Sequence, residues 1–413
     1  MNILHSDLNN FYASVECILN PELKDKYMAV CGNEHERHGI VLAKNQKAKL
    51  MGVTTAEPIW KAKQKCPELI TVPPHPEEYK KYSKAIREIY ARYTDLIEPF
   101  GLDECWLDVS KSHRLFGSGE EIANHIRETV KKETGLTVSV GVSFNKIFAK
   151  LGSDMKKPDA VTVISKENFK EKIWHLGAGE LIGVGKSTQA TLEKYKIFTI
   201  GDIANSPPEF LCKIMGKYGK VLWENANGLG SSRVAHMNEK STPKSVGHGV
   251  TCVEDLKTTD EVWKVIYKLS VSVEDELRRK NLEASGVCIE IKNPQLKVRQ
   301  MSEILPDSTK SAYAIAKKAY ELFIRKYCQN GMTPVRSVTV RVNIGDRDCA
   351  SHQISFFDDE PTETLHPLKT ESVFHEIREK LGKNALTFAS LMGDLKMPGM
   401  KKNDLQDNED CED

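Results

Sequence analysis

The chain has 413 residues, which predicts several domains, because a single hydrophobic core stops growing at roughly 250–300 residues. Apolar residues make up 40% of the sequence and charged residues 28%, a balance that excludes disordered, fibrous and membrane-embedded classes. The formal net charge is +1, but six of the last ten residues are acidic, so the body of the chain is more basic than this total.

The ten cysteines are scattered singly, with no C-x-x-C pair and no histidine at zinc-ligand spacing. This pattern predicts reduced cysteines and argues against a disulfide framework or a structural zinc site. The first residues lack the basic and apolar regions of a signal peptide, and no apolar stretch is long enough to cross a bilayer. We therefore expect a cytoplasmic protein with no membrane partner.

The first part of the chain alternates strands and helices. A short strand is predicted to end at Asp7, and a lysine-rich mixed segment follows up to the breaker at Pro73 and Pro74. Helical and strand-like spacing then alternate, with helices at 77–93, 119–132 and 145–153 and strands at 102–109 and 136–142. The order β-α-β-α-β predicts an α+β sandwich with a small inserted subdomain.

The later part predicts two further modules. Residues 167–230 are mainly helical with glycine turns, and residues 231–242 are polar and non-periodic, as in a linker. Alternating apolar residues near 287–291 and 338–344, with helices near 260–280 and 308–326, predict a second α+β domain that is locally basic. A helix over 369–381 precedes the acidic end.

Three carboxylates stand at predicted strand ends, namely Asp7, Asp103 and Glu104. Such a cluster can hold Mg²⁺ together with substrate phosphates, and two ions about 3.5–4 Å apart support phosphoryl and nucleotidyl transfer. Spacing alone does not show that the three converge. Asp7 could equally cap the following helix, with Asp103 and Glu104 forming a solvated strand end.

Three longer sequence words carry a resemblance. Residues 5–16 read HSDLNNFYASVE, residues 102–108 read LDECWLD, and residues 139–158 contain SVGVSFNK followed by AKLGSDMKKP. In this order they resemble the three catalytic motifs of the Y-family (translesion) DNA polymerases, most closely the bacterial DNA polymerase IV subgroup. The resemblance extends from residue 1 to about 360.

The resemblance implies an α+β multidomain, right-hand polymerase with a ferredoxin-like palm, small fingers, a helix-hairpin-helix thumb and an α+β little finger. The implied boundaries are 1–10 and 75–165 for the palm, 11–74 for the fingers, 166–233 for the thumb, 234–242 for the linker, 243–346 for the little finger and 347–413 for a tail.

By the same resemblance, Asp7, Asp103 and Glu104 would be catalytic and would hold two Mg²⁺ ions, which Mn²⁺ could replace, with the backbone carbonyl of Leu8. The other implied contacts are to the incoming nucleotide, from Phe11, Tyr12, Gln46, Lys49 and Lys157. Tyr12 would be the steric gate against ribonucleotides, and Lys157 would pair with the triphosphate. Without the motifs, Tyr12 would be read as a core aromatic residue and Lys157 as a solvated lysine.

The sequence departs from the family pattern at two places. Asn9 replaces a common aspartate, and residues 45–49 stand where many relatives carry a tyrosine and an arginine that contact phosphates. Gln46 and Lys49 are the candidate substitutes, but a lysine lacks the bidentate geometry of arginine.

DNA contacts are expected from a glycine turn and from the basic strands. Gly183, Gly185 and Lys186 resemble the turn of a helix-hairpin-helix element, although a G-x-G pattern alone is more often a simple turn. The basic candidates of the little finger are Lys292, Lys297, Arg299, Arg336 and Arg341. Contacts of this kind bind the phosphate backbone and weaken with salt.

A short peptide near the C-terminus resembles the motif with which bacterial polymerases bind the sliding clamp (its beta subunit). It is QISFF at residues 353–357, with Gln353, Ile354, Phe356 and Phe357 as the contacts. A short strand packed on its own domain is the other interpretation of this peptide.

We therefore predict an error-prone, template-directed translesion DNA polymerase, active as a monomer on primer-template DNA and dNTPs by two-metal nucleotidyl transfer, without a proofreading exonuclease. The alternatives are a mutasome-type Y-family subunit that needs accessory proteins, a catalytically inactive adaptor for DNA or the clamp, and a nucleotidyl cyclase on a ferredoxin-like palm.

Overall fold

The structure is a computed structural model that describes residues 2–33, 39–239, 242–329, 331–345, 369–382, 385–391 and 395–398. The described chain forms two compact units, one ending at residue 239 and one beginning at residue 242. None of the helices in these residues is long and apolar enough to cross a membrane.

Strands and helices alternate through most of both units. Within the described residues the strands are β1 (Ile3–Leu8), β2 (Met28–Cys31), β3 (Val41–Lys44), β4 (Ile70–Val72), β5 (Ile97–Pro99), β6 (Glu104–Asp108), β7 (Val138–Ser143), β8 (Val161–Ile164), β9 (Ser245–Leu256), β10 (Ala284–Lys292), β11 (Val298–Thr309) and β12 (Val335–Ile344). The α-helices are α1 (Phe11–Leu19), α2 (Gln46–Leu50), α3 (Ile59–Lys65), α4 (Pro76–Tyr90), α5 (His113–Phe116), α6 (Gly119–Thr134), α7 (Lys146–Met155), α8 (Phe169–Ile173), α9 (Lys186–Glu193), α10 (Ile200–Asn205), α11 (Pro208–Met215), α12 (Lys217–Ala226), α13 (Thr259–Lys280), α14 (Ala312–Leu322) and α15 (Lys369–Leu381).

The first unit is built on a five-stranded sheet in the order β5-β6-β1-β7-β8. The central strand β1 is antiparallel to both neighbours, β6 and β7, and all six of its residues are buried. Helices α4 and α6 share one apolar core with this sheet. Helix α6 is capped at both ends, by a Ser118–Glu121 capping box and by the left-handed Gly135, as its sequence requires.

Helix α7 lies unusually close to the sheet. A Cβ on Gly141 of β7 would stand 1.9 Å from the carbonyl oxygen of Ala149, so only glycine fits at this crossing. Asn145 caps the helix by accepting a hydrogen bond from the Phe148 N–H at 2.8 Å. The close approach brings the side chains of α7 next to those of β1 and β6.

Two smaller modules belong to the same unit. Strands β3, β2 and β4 form a three-stranded sheet that shares a separate core with α2 and α3. Helices α8 to α12 enclose another core, which also takes in Phe148 and Leu151 of α7 and Ile164 of β8. The all-helical module is thus anchored on the larger sheet.

The segment 234–237, predicted to begin a linker, packs on the first unit. Val234 is buried with Ile3, Trp106 and Ala149, and the Ala235 N–H donates to Glu98 Oε2 at 3.0 Å. A single buried apolar residue and backbone hydrogen bonds hold this segment, and sequence periodicity cannot detect either. The boundary between the units falls after this contact, at residues 240–241.

The second unit has a four-stranded antiparallel sheet in the order β11-β10-β12-β9. Helices α13 and α14 cover the face that carries Val287, Ile289 and Ile291. We call the opposite face, with Cys288, Glu290 and Lys292, the outer face. The α+β multidomain fold predicted from the sequence is confirmed.

A C-terminal segment, residues 369–398, completes the second unit. Arg378 of α15 lies 3.2 Å from Asp275 of α13, and Lys396 Nζ lies 2.6 Å from Glu261 Oε1. Phe388 packs on the ring of Tyr267 with the centroids 5.1 Å apart. The helix expected at 369–381 is therefore present and packs against α13.

Candidate active site

The adjacent strands β1 and β6 bring the three predicted carboxylates together at one end of the strands of the large sheet. We call this end of the two strands the active-site edge. Asp7 near the end of β1 and Glu104 at the start of β6 are direct partners across the antiparallel pair. Asp103 precedes β6, and its carbonyl accepts a hydrogen bond from the Leu8 N–H at 3.0 Å. Paired residues share one face of a sheet, so the register places the carboxylates of Asp7 and Glu104 side by side.

Two lysines lie among these carboxylates. Lys150 Nζ on α7 is 2.8 Å from Glu104 Oε1 and 3.3 Å from Asp7 Oδ2. Lys157 Nζ is 2.8 Å from the same Asp7 oxygen and 2.9 Å from Asp154 Oδ1. The two ammonium groups thus lie against the carboxylates of Asp7 and Glu104, which are only 7% and 19% exposed.

Sequence reasoning singled out Lys157 as a candidate but not Lys150. The Lys150 side chain is only 15% exposed, and its neighbours Phe148, Ala149 and Leu151 are buried. A lysine inside a buried helical run was the signal that could have identified it, because an unpaired charge is rarely buried.

The local pKa values follow from burial and pairing. Burial raises the pKa of Asp7 above its usual value, although Lys157 and Lys150 act against it. Burial also raises the pKa of Asp103, and the charges of Asp7 and Glu104 add to this effect. Burial raises that of Glu104 too, but His5 and Lys150 outweigh it and hold the Glu104 pKa at about 2.

The carboxylates suit a hard divalent cation. Within the described residues, no group of three His, Cys, Asp or Glu side chains already has the geometry of a metal site. Lys150 and Lys157 contact the same oxygens that a cation would need. Oxygen ligands of this type match Mg²⁺, and burial, the main cause of the raised pKa of Asp7 and Asp103, disfavours their charged forms, which a cation would stabilise. The donor set therefore fits the metal that the sequence predicts.

Tyr12 on α1 lies beside this edge. Its ring stacks on Tyr79, with the centroids 4.2 Å apart and the planes inclined by 9°, and the buried Phe11 ring lies 5.5 Å away. Burial raises the pKa of the Tyr12 hydroxyl, and the negative charge of Asp103 raises it further. The hydroxyl is therefore within electrostatic reach of the carboxylates, and the stacked ring has a fixed orientation.

Gln46 and Lys49 lie on α2 of the small sheet module, and both are exposed. Neither makes a hydrogen bond or an ion pair with the three carboxylates in the described structure. Lys49 lies near Lys44, whose pKa is lowered by burial and by the charge of Lys49. Lys49 therefore lies near the ammonium group of Lys44 and makes no contact with the three carboxylates in the described structure.

The glycine turn at Gly183 and Gly185 leads into α9, which begins at Lys186. Gly183 has a φ of 92° and its carbonyl accepts a hydrogen bond from the Tyr218 hydroxyl at 2.9 Å. The element before the turn is the short 3-10 helix Ala178–Glu180 rather than a full helix. Gly185 and Lys186 are exposed.

The basic candidates of the second unit do not share one face. Arg341 pairs with Cys288, so both Arg341 and Lys292 belong to the outer face. Arg299 pairs with the buried Ile291, which places it on the helix-covered side at the end of an edge strand. Lys297 follows the turn between β10 and β11, and Arg336 lies at a register shift in β12. The clamp peptide at 353–357 lies outside the described residues.

Comparison with known proteins identifies the family. A family model described as "impB/mucB/samB family" matches residues 6–154, and the model for its C-terminal domain matches residues 243–355. DNA polymerase IV of Acetivibrio thermocellus is 50% identical over 380 residues, covering 92% of this chain and 94% of that protein. DNA polymerase IV 1 of Bacillus subtilis is 35% identical over 370 residues, covering 88% of each.

Solved structures give the same result. A Y-family DNA polymerase chimera of Dbh and Dpo4 superposes with a TM-score of 0.73 at 27% identity, covering 83% of this chain and 98% of that one. DinB from Sulfolobus solfataricus gives a TM-score of 0.55 at 26% identity, covering 83% and 99%. These likenesses do not favour an adaptor, a mutasome-type subunit or a cyclase. The chain belongs to the Y family of DNA polymerases, in its DNA polymerase IV group, and is a translesion DNA-directed DNA polymerase.

Proposed function

We propose that the edge formed by β1 and β6 is the centre at which dNTPs are added to a primer 3′-hydroxyl on a DNA template. The observation that carries the proposal is the register pairing of Asp7 with Glu104, with Asp103 adjoining, Lys150 between the two paired carboxylates and Lys157 on Asp7. Asp7, Asp103 and the Leu8 carbonyl would hold two Mg²⁺ ions, and Glu104 would hold the ion nearest the primer. Mn²⁺ has the same preference for oxygen and could substitute.

When bound, the two ions stabilise the attacking and leaving oxygens of an in-line displacement that releases pyrophosphate. Lys157 supplies a further positive charge for the triphosphate, because its ammonium group already lies at the Asp7 carboxylate and needs only to turn toward phosphate. Lys150 neutralises Asp7 and Glu104 before the cations arrive. Tyr12, fixed on Tyr79, fills the place of a ribose 2′-hydroxyl and so selects deoxynucleotides.

Each domain of the polymerase corresponds to one of the separate hydrophobic cores of the chain. The palm is the large sheet with its helices, the fingers are the three-stranded module, the thumb is the helical module of α8 to α12, and the little finger is the second unit. The exposed turn at Gly183–Lys186 and the outer-face residues Lys292 and Arg341 would contact the phosphate backbone of a primer-template. Contacts to the backbone carry no sequence preference, as copying any template requires.

The test is primer extension by the purified chain with Mg²⁺, on an undamaged template and on one with a single lesion. Asp103→Asn keeps the shape of the side chain and removes the charge, so extension should be lost on both templates. Asp108→Asn is the matched control, because Asp108 lies at the other end of β6, where its carboxylate accepts a hydrogen bond from the Ser110 N–H. Equal extension by wild type and Asp103→Asn would refute the assignment of the centre.

We propose further that the chain acts as a monomer and binds the sliding clamp through residues 353–357. The sequence QISFF supports this, since paired apolar residues in a polar segment need a partner that buries them. The clamp should lengthen the products of wild type and leave those of a Phe356→Ala/Phe357→Ala double variant unchanged. The double variant should keep its activity without the clamp, and clamp-dependent lengthening of its products would exclude this peptide as the contact.

A further inference from the structure

Asn9, the residue that replaces a common aspartate of the family, is buried directly after β1, with an exposed fraction of 5%. Its Oδ1 atom accepts hydrogen bonds from the Asp159 backbone N–H at 2.9 Å and from the Thr137 hydroxyl at 3.0 Å. Its Nδ2 atom donates to Ser139 Oγ at 3.0 Å. Because a backbone N–H can only donate, the atom that faces Asp159 must be the amide oxygen, which fixes the orientation of the side chain.

One of these hydrogen bonds reaches residues 157–159, which we call the Lys157 turn. Asp159 has a φ of 54°, in the left-handed region that residues other than glycine rarely adopt. A residue keeps such a conformation only where its surroundings hold it there. The Asn9 oxygen holds the Asp159 N–H from the end of β1, the strand that also carries Asp7. The same strand therefore supplies Asp7 and fixes the turn whose lysine contacts Asp7.

Helix α6 binds the Lys157 turn as well. The Asp159 carboxylate lies 2.9 Å from Arg127 Nη1 and 2.8 Å from Lys131 Nζ. The side chains of Asp159 and Arg127 are only 21% and 22% exposed, so this ion pair is partly shielded from water. The backbone and the side chain of Asp159 are thus each held by a different element of the first unit.

We propose that Asn9 and Asp159 are positioning residues that fix the Lys157 turn, so that the Lys157 ammonium group stands ready for the triphosphate of the incoming nucleotide. The inference rests on the proposed role of Lys157 and extends it, because it names the contacts that keep this lysine in place. Lys157 Nζ lies 2.8 Å from Asp7 Oδ2, although its side chain is 29% exposed. Holding a lysine in one place costs conformational entropy, and a rigid backbone at its base reduces the number of positions that it samples.

The hydrogen bonds also explain why an amide can stand at position 9 in place of the aspartate. The turn needs an acceptor oxygen, which both groups have, and the Ser139 hydroxyl that accepts from the amide can donate to a carboxylate instead. Asn9→Asp should therefore keep the turn in place. Asn9→Leu has a side chain of similar size without an acceptor, so it leaves the Asp159 N–H without this partner.

The test is the affinity for an incoming dNTP, measured with the complete chain on a primer that ends in a dideoxynucleotide, so that no bond can form. Binding in the presence of Mg²⁺ is followed by the fluorescence of 2-aminopurine in the template. Lys157→Ala should weaken dNTP binding about thirtyfold and Asn9→Leu about tenfold, whereas Asn9→Asp should stay within about threefold of wild type. The double variant Asn9→Leu/Lys157→Ala should bind dNTP no more weakly than Lys157→Ala, because Asn9 acts through the lysine.

Asp159→Gly gives a second reading that leaves Asn9 in place. Glycine adopts a positive φ without strain, so this variant removes the ion pairs with α6 and should weaken dNTP binding about threefold. Melting followed by circular dichroism shows which variants are folded, and Asp159→Gly decides the matter if Asn9→Leu is not.

Wild-type affinity in the folded variants among Asn9→Leu and Asp159→Gly would overturn the proposal, as would equal losses in Asn9→Asp and Asn9→Leu. A loss in the double variant equal to the product of the two single losses would also overturn it, since Asn9 would then act by another route. Unchanged affinity in Lys157→Ala would overturn it together with the role of Lys157. Failure of the wild type itself to extend primers would instead refute the proposed function.

Discussion

The candidate active-site edge and the outer face of the second unit both carry charged side chains, but they hold them in opposite ways. At the edge, Asp7 and Lys150 are 7% and 15% exposed and are held by ion pairs of fixed geometry. On the outer face, Arg341 is exposed and pairs with Gly247 of β9. A Cβ added to Gly247 would lie 2.9 Å from the Cβ of Arg341. The first region holds a few charges in ion pairs, and the second exposes an arginine at its surface.

The difference teaches where single substitutions should matter. Charge in a low-dielectric, preorganised site contributes several kcal/mol to a transition state, whereas an exposed charge contributes about 1 kcal/mol or less. We therefore expect large changes in rate from the edge and small, salt-dependent changes in DNA affinity from the outer face.

The largest effect should come from Glu104→Gln, compared with Glu290→Gln on the outer face. Glu104→Gln removes the carboxylate that we propose as a cation ligand and should lower kcat by about a thousandfold, which corresponds to several kcal/mol of transition-state stabilisation. Glu290→Gln should change kcat by less than about twofold. Single-turnover incorporation of a matched dNTP measures both, and comparable losses in the two variants would break the contrast between the regions.

A smaller effect is expected for the choice of sugar. Tyr12→Ala opens the space beside the stacked Tyr79 ring, so discrimination against a ribonucleotide should fall by about a hundredfold while dNTP incorporation largely persists. Tyr12→Phe keeps the ring and should keep the discrimination. The ratio of kcat/KM for dNTP to kcat/KM for rNTP measures this discrimination. Unchanged selectivity in Tyr12→Ala would refute the assignment of Tyr12 as the steric gate.

Sequence patterns predicted best what depends on local signals. Helix α13 was expected at 260–280 and runs Thr259–Lys280, because the Thr258–Glu261 capping box and a long apolar stripe define it. The role of Lys150 depends on β1, β6 and α7 meeting in space, which no local pattern records. The sequence also could not predict on which side of the sheet Arg299 and Arg336 lie, because the register of β11 and the irregularity in β12 are properties of strand pairs.

The docking of the C-terminal segment supplies a stability test within the second unit. Arg378 is only 8% exposed and reaches both oxygens of Asp275, at 3.2 and 3.3 Å. Arg378→Ala leaves Asp275 without this partner and should lower the free energy of unfolding by about 2 kcal/mol. The double variant Arg378→Ala/Asp275→Asn should lose less free energy of unfolding than the sum of the losses in the two single variants, because the two residues share one contact. Denaturant titration measures each variant, and strictly additive losses would show that the contact does not hold α15 in solution.

The smallest effect should distinguish the two faces of the second unit. Arg341 lies on the outer face and Arg299 on the helix-covered side, although sequence reasoning grouped them. If the outer face binds the duplex, Arg341→Ala should weaken DNA affinity about fivefold and reduce the salt dependence by about one phosphate contact. Arg299→Ala should change neither quantity, because its Cα partner Ile291 belongs to the core on the opposite face. Fluorescence anisotropy with a labelled primer-template at several salt concentrations measures both variants. A larger loss for Arg299→Ala would mean that the edge of the sheet, rather than its outer face, meets the DNA.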